Sequence, residues 1–196
     1  MLLAVAAWGE TSAPAKYSVS ATQVTDFAPA IPKGPRQKGH CWTDSIAVDR
    51  PGAWRCMVDN SIYDPCFSNP KLKKAVVCDA DPSQNKPGFV LNLTKALPKR
   101  ESQSLPDKLP WLLKLADGSI CEVSTGTTAF VDNVTIPYGC SDSKDCNDSG
   151  CPYMTGVTEN LKRGKVWIAE KVAFRTDDKG AEFIKREPMP VATVWK

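Results

Sequence analysis

Residues 111–140 read WLLKLADGSICEVSTGTTAFVDNVTIPYGC, and this stretch decides the fold class. It is a run of short strand-like segments separated by tight turns. Trp111–Leu115 and Ile120–Val123 lie on the two sides of Asp117-Gly118. An Asp-Gly pair between two such runs predicts a hairpin, because glycine tolerates the positive φ that a type I′ turn demands. The stretch also carries Cys121 and Cys140. The expected fold is mainly β, a small sandwich or barrel-like arrangement with disulfide-stapled hairpins and loops and little helix.

The same reading extends outward. On the N-terminal side, strands are expected at Cys41–Ala47, Ala53–Val58, Ala75–Cys78 and Phe89–Leu93, with turn chemistry at Asp49-Arg50-Pro51-Gly52 and Asp59-Asn60. Trp54 and Cys56, two residues apart in a strand, share a face, so the indole is placed to pack on a Cys41–Cys56 bridge. On the C-terminal side, Lys165–Phe174 reads as a strand, 177–180 as a turn, and the β-branched Pro190–Trp195 as a closing strand. The best helical candidates are a turn or two near 70–75 or 158–162. Residues 98–110, PKRESQSLPDKLP, form a Pro-bounded connection and the natural lobe boundary within an otherwise single disulfide-stabilised β domain, 40–196.

The chain has 196 residues, 42% of them hydrophobic, which is enough for a core and unlike a disordered chain. A net charge of +3 is too weak to predict nucleic-acid binding. Residues 1–15, MLLAVAAWGETSAPA, read as the remnant of a secretory signal peptide: an apolar run, then small residues. The apolar run is too short to span a bilayer, and no other segment reads as transmembrane. Residues 16–39 read as a flexible leader with room for one short strand near Tyr17–Val24.

Eight cysteines fit an oxidising compartment. Consecutive cysteines fall within single hairpins or loops, so the expected pairs are Cys41–Cys56, Cys66–Cys78, Cys121–Cys140 and Cys146–Cys151. Zinc is disfavoured, with no CxxC pair and His40 as the only histidine.

The segments HCWTDSIAVDRPGAWRCMV, YDPCF, VVCDADP, PWLLKLADGSICEVSTGT and IPYGC resemble a set of exported bacterial cysteine-containing β proteins. The resemblance covers about 39–140, and more loosely WIAEKVAF and ATVW. It implies a secreted or envelope location and a disulfide-stabilised β fold, and it implies no activity.

No catalytic residue is assigned. His40 is adjacent to Cys41 in a strand, so the two side chains point to opposite faces, and no GxSxG elbow is present. Asp44, Asp49, Asp59 and Asp64 read as turn formers. The segment from Asp142 to Cys151 carries a partial calcium-loop pattern, with Asp142, Asp145, Asn147 and Asp148 as candidate oxygen ligands and Ser149-Gly150 following. The bidentate Glu at the twelfth position is missing, since Gly156 stands there; a disulfide-stapled loop of Asx turns is the plainer reading. Basic clusters at Lys71/Lys73/Lys74, Lys99/Arg100 and Lys162/Arg163/Lys165 read as solvated faces that an anionic envelope polymer could use. Tryptophans 42, 54, 111, 167 and 195 are expected in the core.

The expectation for function is a non-enzymatic secreted or cell-envelope binding protein, its partner an envelope polymer or protein, with no cofactor beyond the calcium candidate. The alternatives are an inhibitor of a secreted hydrolase, offering the TGTT turn or the Cys146–Cys151 loop, and a small carboxylate-dependent hydrolase. A deep pocket holding two convergent carboxylates would favour the last.

Overall fold

A computed structural model describes residues 17–99, 109–141, 154–177 and 180–196. Fourteen strands and no helix occur among them. After β1 (Gln23–Thr25) come β2 (Gln37–Asp44), β3 (Ala53–Val58), β4 (Ser61–Ser68), β5 (Ala75–Cys78) and β6 (Phe89–Leu93). These five close into a barrel in sequence order. Each consecutive pair is antiparallel. With an odd number of up-and-down strands, first and last run the same way, and β2 does pair parallel with β6 through Gln37–Gly39 and Leu91–Leu93.

The second unit contains β7 (Leu112–Leu115), β8 (Ile120–Val123), β9 (Ala129–Val131), β10 (Val134–Ile136), β11 (Tyr138–Ser141), β12 (Met154–Val157), β13 (Trp167–Asp177) and β14 (Gly180–Trp195). Its main sheet has the order β1-β14-β13-β12-β11-β8-β7, and β14 also pairs with β7. Six strands therefore form a second circuit. Six is even, and here the closing pair is antiparallel. The β9–β10 hairpin pairs only with itself and packs Val131 and Ile136 against Val172 and Phe174. Pro190 of β14, opposite Ile168, keeps its carbonyl engaged, accepting from Ala116 N at 2.8 Å.

Two cores result. Leu113, Leu115, Cys121, Tyr138, Val157, Met189 and Val191 fill the second unit. In the barrel, Trp54 packs with Cys41, Cys56, Cys66 and Cys78, and its Nε1–H donates to Ser68 Oγ at 2.8 Å. A seam joins the two. Phe67 stacks on Trp111 with ring centroids 5.6 Å apart, and Phe27 meets both rings edge-on. Ala47, Val48, Ala53 and Leu112 complete the seam.

Three disulfides staple directly opposed strand residues: Cys41–Cys56, Cys66–Cys78 and Cys121–Cys140. Cys146 and Cys151 lie outside the described residues. Replacing Cys121 and Cys140 together by alanine should lower stability by about 3 kcal/mol, the chain-entropy value for a loop of this length; their sequence separation is 19. Urea unfolding under non-reducing conditions measures it, and a loss below about 1 kcal/mol contradicts the estimate.

One local reading changes. The β7–β8 turn is not type I′. Gly118 (φ 95°) is its one left-handed residue, Gly118 N donates to Leu115 O at 3.0 Å, and Leu115 pairs with Ser119. This is a three-residue loop with a glycine bulge, the next most common hairpin geometry. A two-residue turn with both central residues left-handed occurs instead at Asp132-Asn133 (φ 46° and 61°), between paired Val131 and Val134. The leader carries a short strand, at the end of the Tyr17–Val24 stretch where one was expected. Gln23–Thr25 lies parallel on Thr193–Trp195, and Thr22 Oγ1 donates to Val191 O while accepting from Trp167 N, both at 2.7 Å. The polar composition of 16–39 carries no sign of partners that distant in sequence.

Candidate functional site

The outer face of the barrel follows from alternation. Cys41 and Cys56 point inward, so His40, Trp42, Arg55 and Met57 point outward. Strand pairing sets His40 opposite Met57 and Met57 opposite Ile62, one row across three strands. Trp42 sits in the bulge between Cys41 and Thr43, where the register shifts. It is 39% exposed, and Ile62 is 50% exposed. This differs from the core role expected for the five tryptophans from Trp42 onward: Trp54, Trp111 and Trp167 are buried, whereas Trp42 is turned out. The Arg55 guanidinium lies 5.8 Å from the Trp42 ring centroid, and the His40 ring 6.5 Å away. Cations over an indole face are attracted by its quadrupole.

Arg55 also anchors this face to the second unit. Its Nη1 donates to Asp64 Oδ2 at 3.2 Å and to Thr125 O at 3.0 Å. Asp64, read from sequence as a turn former, is instead in β4 with a side chain 1% exposed. Its carboxylate accepts from Ser45 Oγ and from Ile46 N, and the same Ser45 Oγ accepts from Ala47 N and Val48 N. Burial pushes the Asp64 carboxyl up, against the pull of Ser45, Ile46 and Arg55. Glu122 is raised too, by burial first and then by the carboxylates of Asp81, Asp64 and Asp79.

These four acids gather loosely without forming a carboxylate pair built for hydrolysis. Asp64 is closed off from solvent and bonded on both oxygens. Asp81 is occupied by Ser83 and Gln84 in its own turn, and Asp79 by Lys86 at 2.7 Å. Asp59 is a turn residue with φ 50°.

Sulfur atoms of Cys56, Cys66 and Cys78 lie within 4.8 Å of one another. All three are in disulfides and offer no thiolate to a metal. The candidate calcium ligands Asp142, Asp145, Asn147 and Asp148 lie outside the described residues. Of the basic clusters, Arg163 lies over the Trp167 ring at 5.3 Å, and Arg100 lies outside the described residues.

Two hollows stand out among the described residues. One, of about 600 Å³, runs between 159–162 and the β13–β14 ladder. There Glu170 accepts from Arg186 at 2.8 and 3.0 Å, from Thr158 at 3.0 Å and from Asn160 at 3.4 Å. Burial alone would raise Glu170, but these donors hold it below its ordinary value. The other, of about 280 Å³, opens at the seam beside Arg50, Trp111, Arg163 and Lys196.

No family model matches the chain, and neither the curated proteins nor the solved structures offer a significant match. The likeness to exported bacterial proteins thus gains no support from these comparisons, and function is inferred from the geometry above.

Proposed function

We propose that this chain is a non-enzymatic binding protein of the extracytoplasmic space that presents the outer face of its five-stranded barrel to a partner of the cell envelope. The observation that carries this reading is Trp42, turned out on a disulfide-stapled sheet beside Arg55, with the exposed Ile62 on the same barrel face in the His40–Met57–Ile62 row. Tryptophan and arginine are enriched among the residues that dominate binding energy at protein interfaces. That favours a protein partner over a polymer. Three disulfides support an oxidising compartment. No helix among the described residues is long and apolar enough to cross a membrane. The hydrolase-inhibitor reading loses one of its two loops as a free probe, because Arg55 tethers Thr125 of the TGTT turn.

The test immobilises the full chain and passes an envelope fraction of its own host over it. One protein should be retained by wild type and lost at least about tenfold with Trp42→Ala or Ile62→Ser, equivalent to a loss of about 1.4 kcal/mol. Ile184→Ser, at an equally exposed position on β14, should leave retention unchanged. A retained polymer would move the partner to the other class. Equal recovery by all variants would contradict the proposal.

A further inference from the structure

The seam hollow lies apart from the barrel face and has a different character. Among the described residues, its wall contains three basic side chains, Arg50, Arg163 and Lys196, against two acidic ones, Asp26 and Asp49. Arg50 is held in place: its guanidinium lies 4.8 Å over the Phe67 ring and donates one bond, through Nη2, to Phe27 O. A guanidinium carries five N–H donors in a fixed fork. Arg163 and Lys196 both reach the Trp167 ring, at 5.3 and 5.9 Å, which brings two cations to one side of the hollow. Trp111 forms part of the wall at 3% exposure, and its indole Nε1–H is buried with no hydrogen-bond partner. Such an orphaned donor is rare in native proteins, and a water or ion is a usual partner for one. A void of about 280 Å³ suits a molecule of a few heavy atoms.

We propose that this hollow is a binding site for a small oxyanion, a carboxylate or a phosphate, held by Arg50 and Arg163, with Lys196 adding charge and the Trp111 indole N–H offering a further donor. Two oxygens of either a carboxylate or a phosphate match the guanidinium fork, and a charge-assisted bond in a partly desolvated seam is stronger than one on an open surface. The site also explains why a cation is kept in the joint between the two β units. Burial lowers the Arg50 pKa against the attraction of Asp26, and an anion in the hollow would offset that cost.

Succinate and inorganic phosphate are the two probes, titrated separately into the full chain at fixed ionic strength, with calorimetry and tryptophan fluorescence as readouts. At least one should saturate one site per chain with half-saturation below about 1 mM, and which one does so identifies the source of the oxyanion. Arg163→Gln should weaken it about tenfold, the loss of one charge-assisted bond. Trp111→Phe removes the indole donor; should that chain fold poorly, Lys196→Gln is the second variant, also expected to weaken binding. Lys71→Gln, outside the hollow, should change nothing. Binding of neither probe below about 10 mM, or binding that Arg163→Gln and Lys196→Gln leave unaltered, overturns the proposal.

Discussion

Lys171→Ala is expected to cost about 3–5 kcal/mol of unfolding free energy at neutral pH, the range for breaking a buried ion pair from one side. Lys171 lies in β13, and its ammonium donates to Asp117 Oδ2 at 2.6 Å and Ser119 Oγ at 2.8 Å. The two charged side chains are 10% and 12% exposed, so solvent does little to screen them. The pair ties the β7–β8 turn onto the sheet across 54 residues of sequence. Alanine would leave the Asp117 carboxylate desolvated with only Ser119 to bind it. Methionine, which keeps the apolar stem, should cost less.

The pH dependence separates charge from packing. Burial alone would raise Asp117, but Lys171 and Ser119 outweigh it and the carboxyl titrates below its ordinary value. A group depressed in the folded state binds more protons when unfolded. Its stabilisation is thus present above the ordinary carboxylate pKa and lost as pH falls through the folded one. Lys171→Ala should flatten that acid limb. Urea unfolding from neutral pH into acid measures both effects, and a variant within about 1 kcal/mol of wild type with an unchanged acid limb would contradict them.

Arg55→Ala should have an effect of the same size, about 3–5 kcal/mol at neutral pH, again shrinking toward acid, but through a carboxyl whose folded pKa is raised rather than lowered. It leaves Asp64, 1% exposed, without its cation and removes the bond to Thr125 O that crosses between the two units. Asp64 is already raised by burial, and losing Arg55 raises it further. A carboxyl with a raised folded pKa binds more protons folded than unfolded, so stability falls as pH rises through that window. The deficit of Arg55→Ala should shrink toward acid as Asp64 takes up its proton. A deficit independent of pH would show that packing, not charge, is what Arg55 contributes.

The sequence carried the local half of this structure. Alternation located most strands, and neighbouring cysteines fell on opposed strand residues because each such pair lies within one antiparallel ladder. Asp117-Gly118 marked a hairpin, although its turn type depended on Leu115 pairing with Ser119 rather than on the dipeptide alone. The non-local half was not legible. Nothing in QVT at 23–25 points to Thr193–Trp195, and nothing around Lys171 names Asp117. Asp64 resembled the turn-forming aspartates near it until the fold enclosed it. Trp42 stood beside a cysteine like a core residue, and its outward direction follows from the in-out order of β2 and its bulge. Arg50, Trp111, Arg163 and Lys196 are spread over the chain and meet only at the seam.

The most direct test of the central claim is photocrosslinking in the chain's own host, with a photoreactive amino acid at Ile62 and, as the comparison, at Ile184 on β14. The barrel face as a binding surface predicts one discrete adduct from position 62, absent from position 184 and lost when Trp42→Ala is added. No adduct at 62, or the same adduct from both positions, would contradict it.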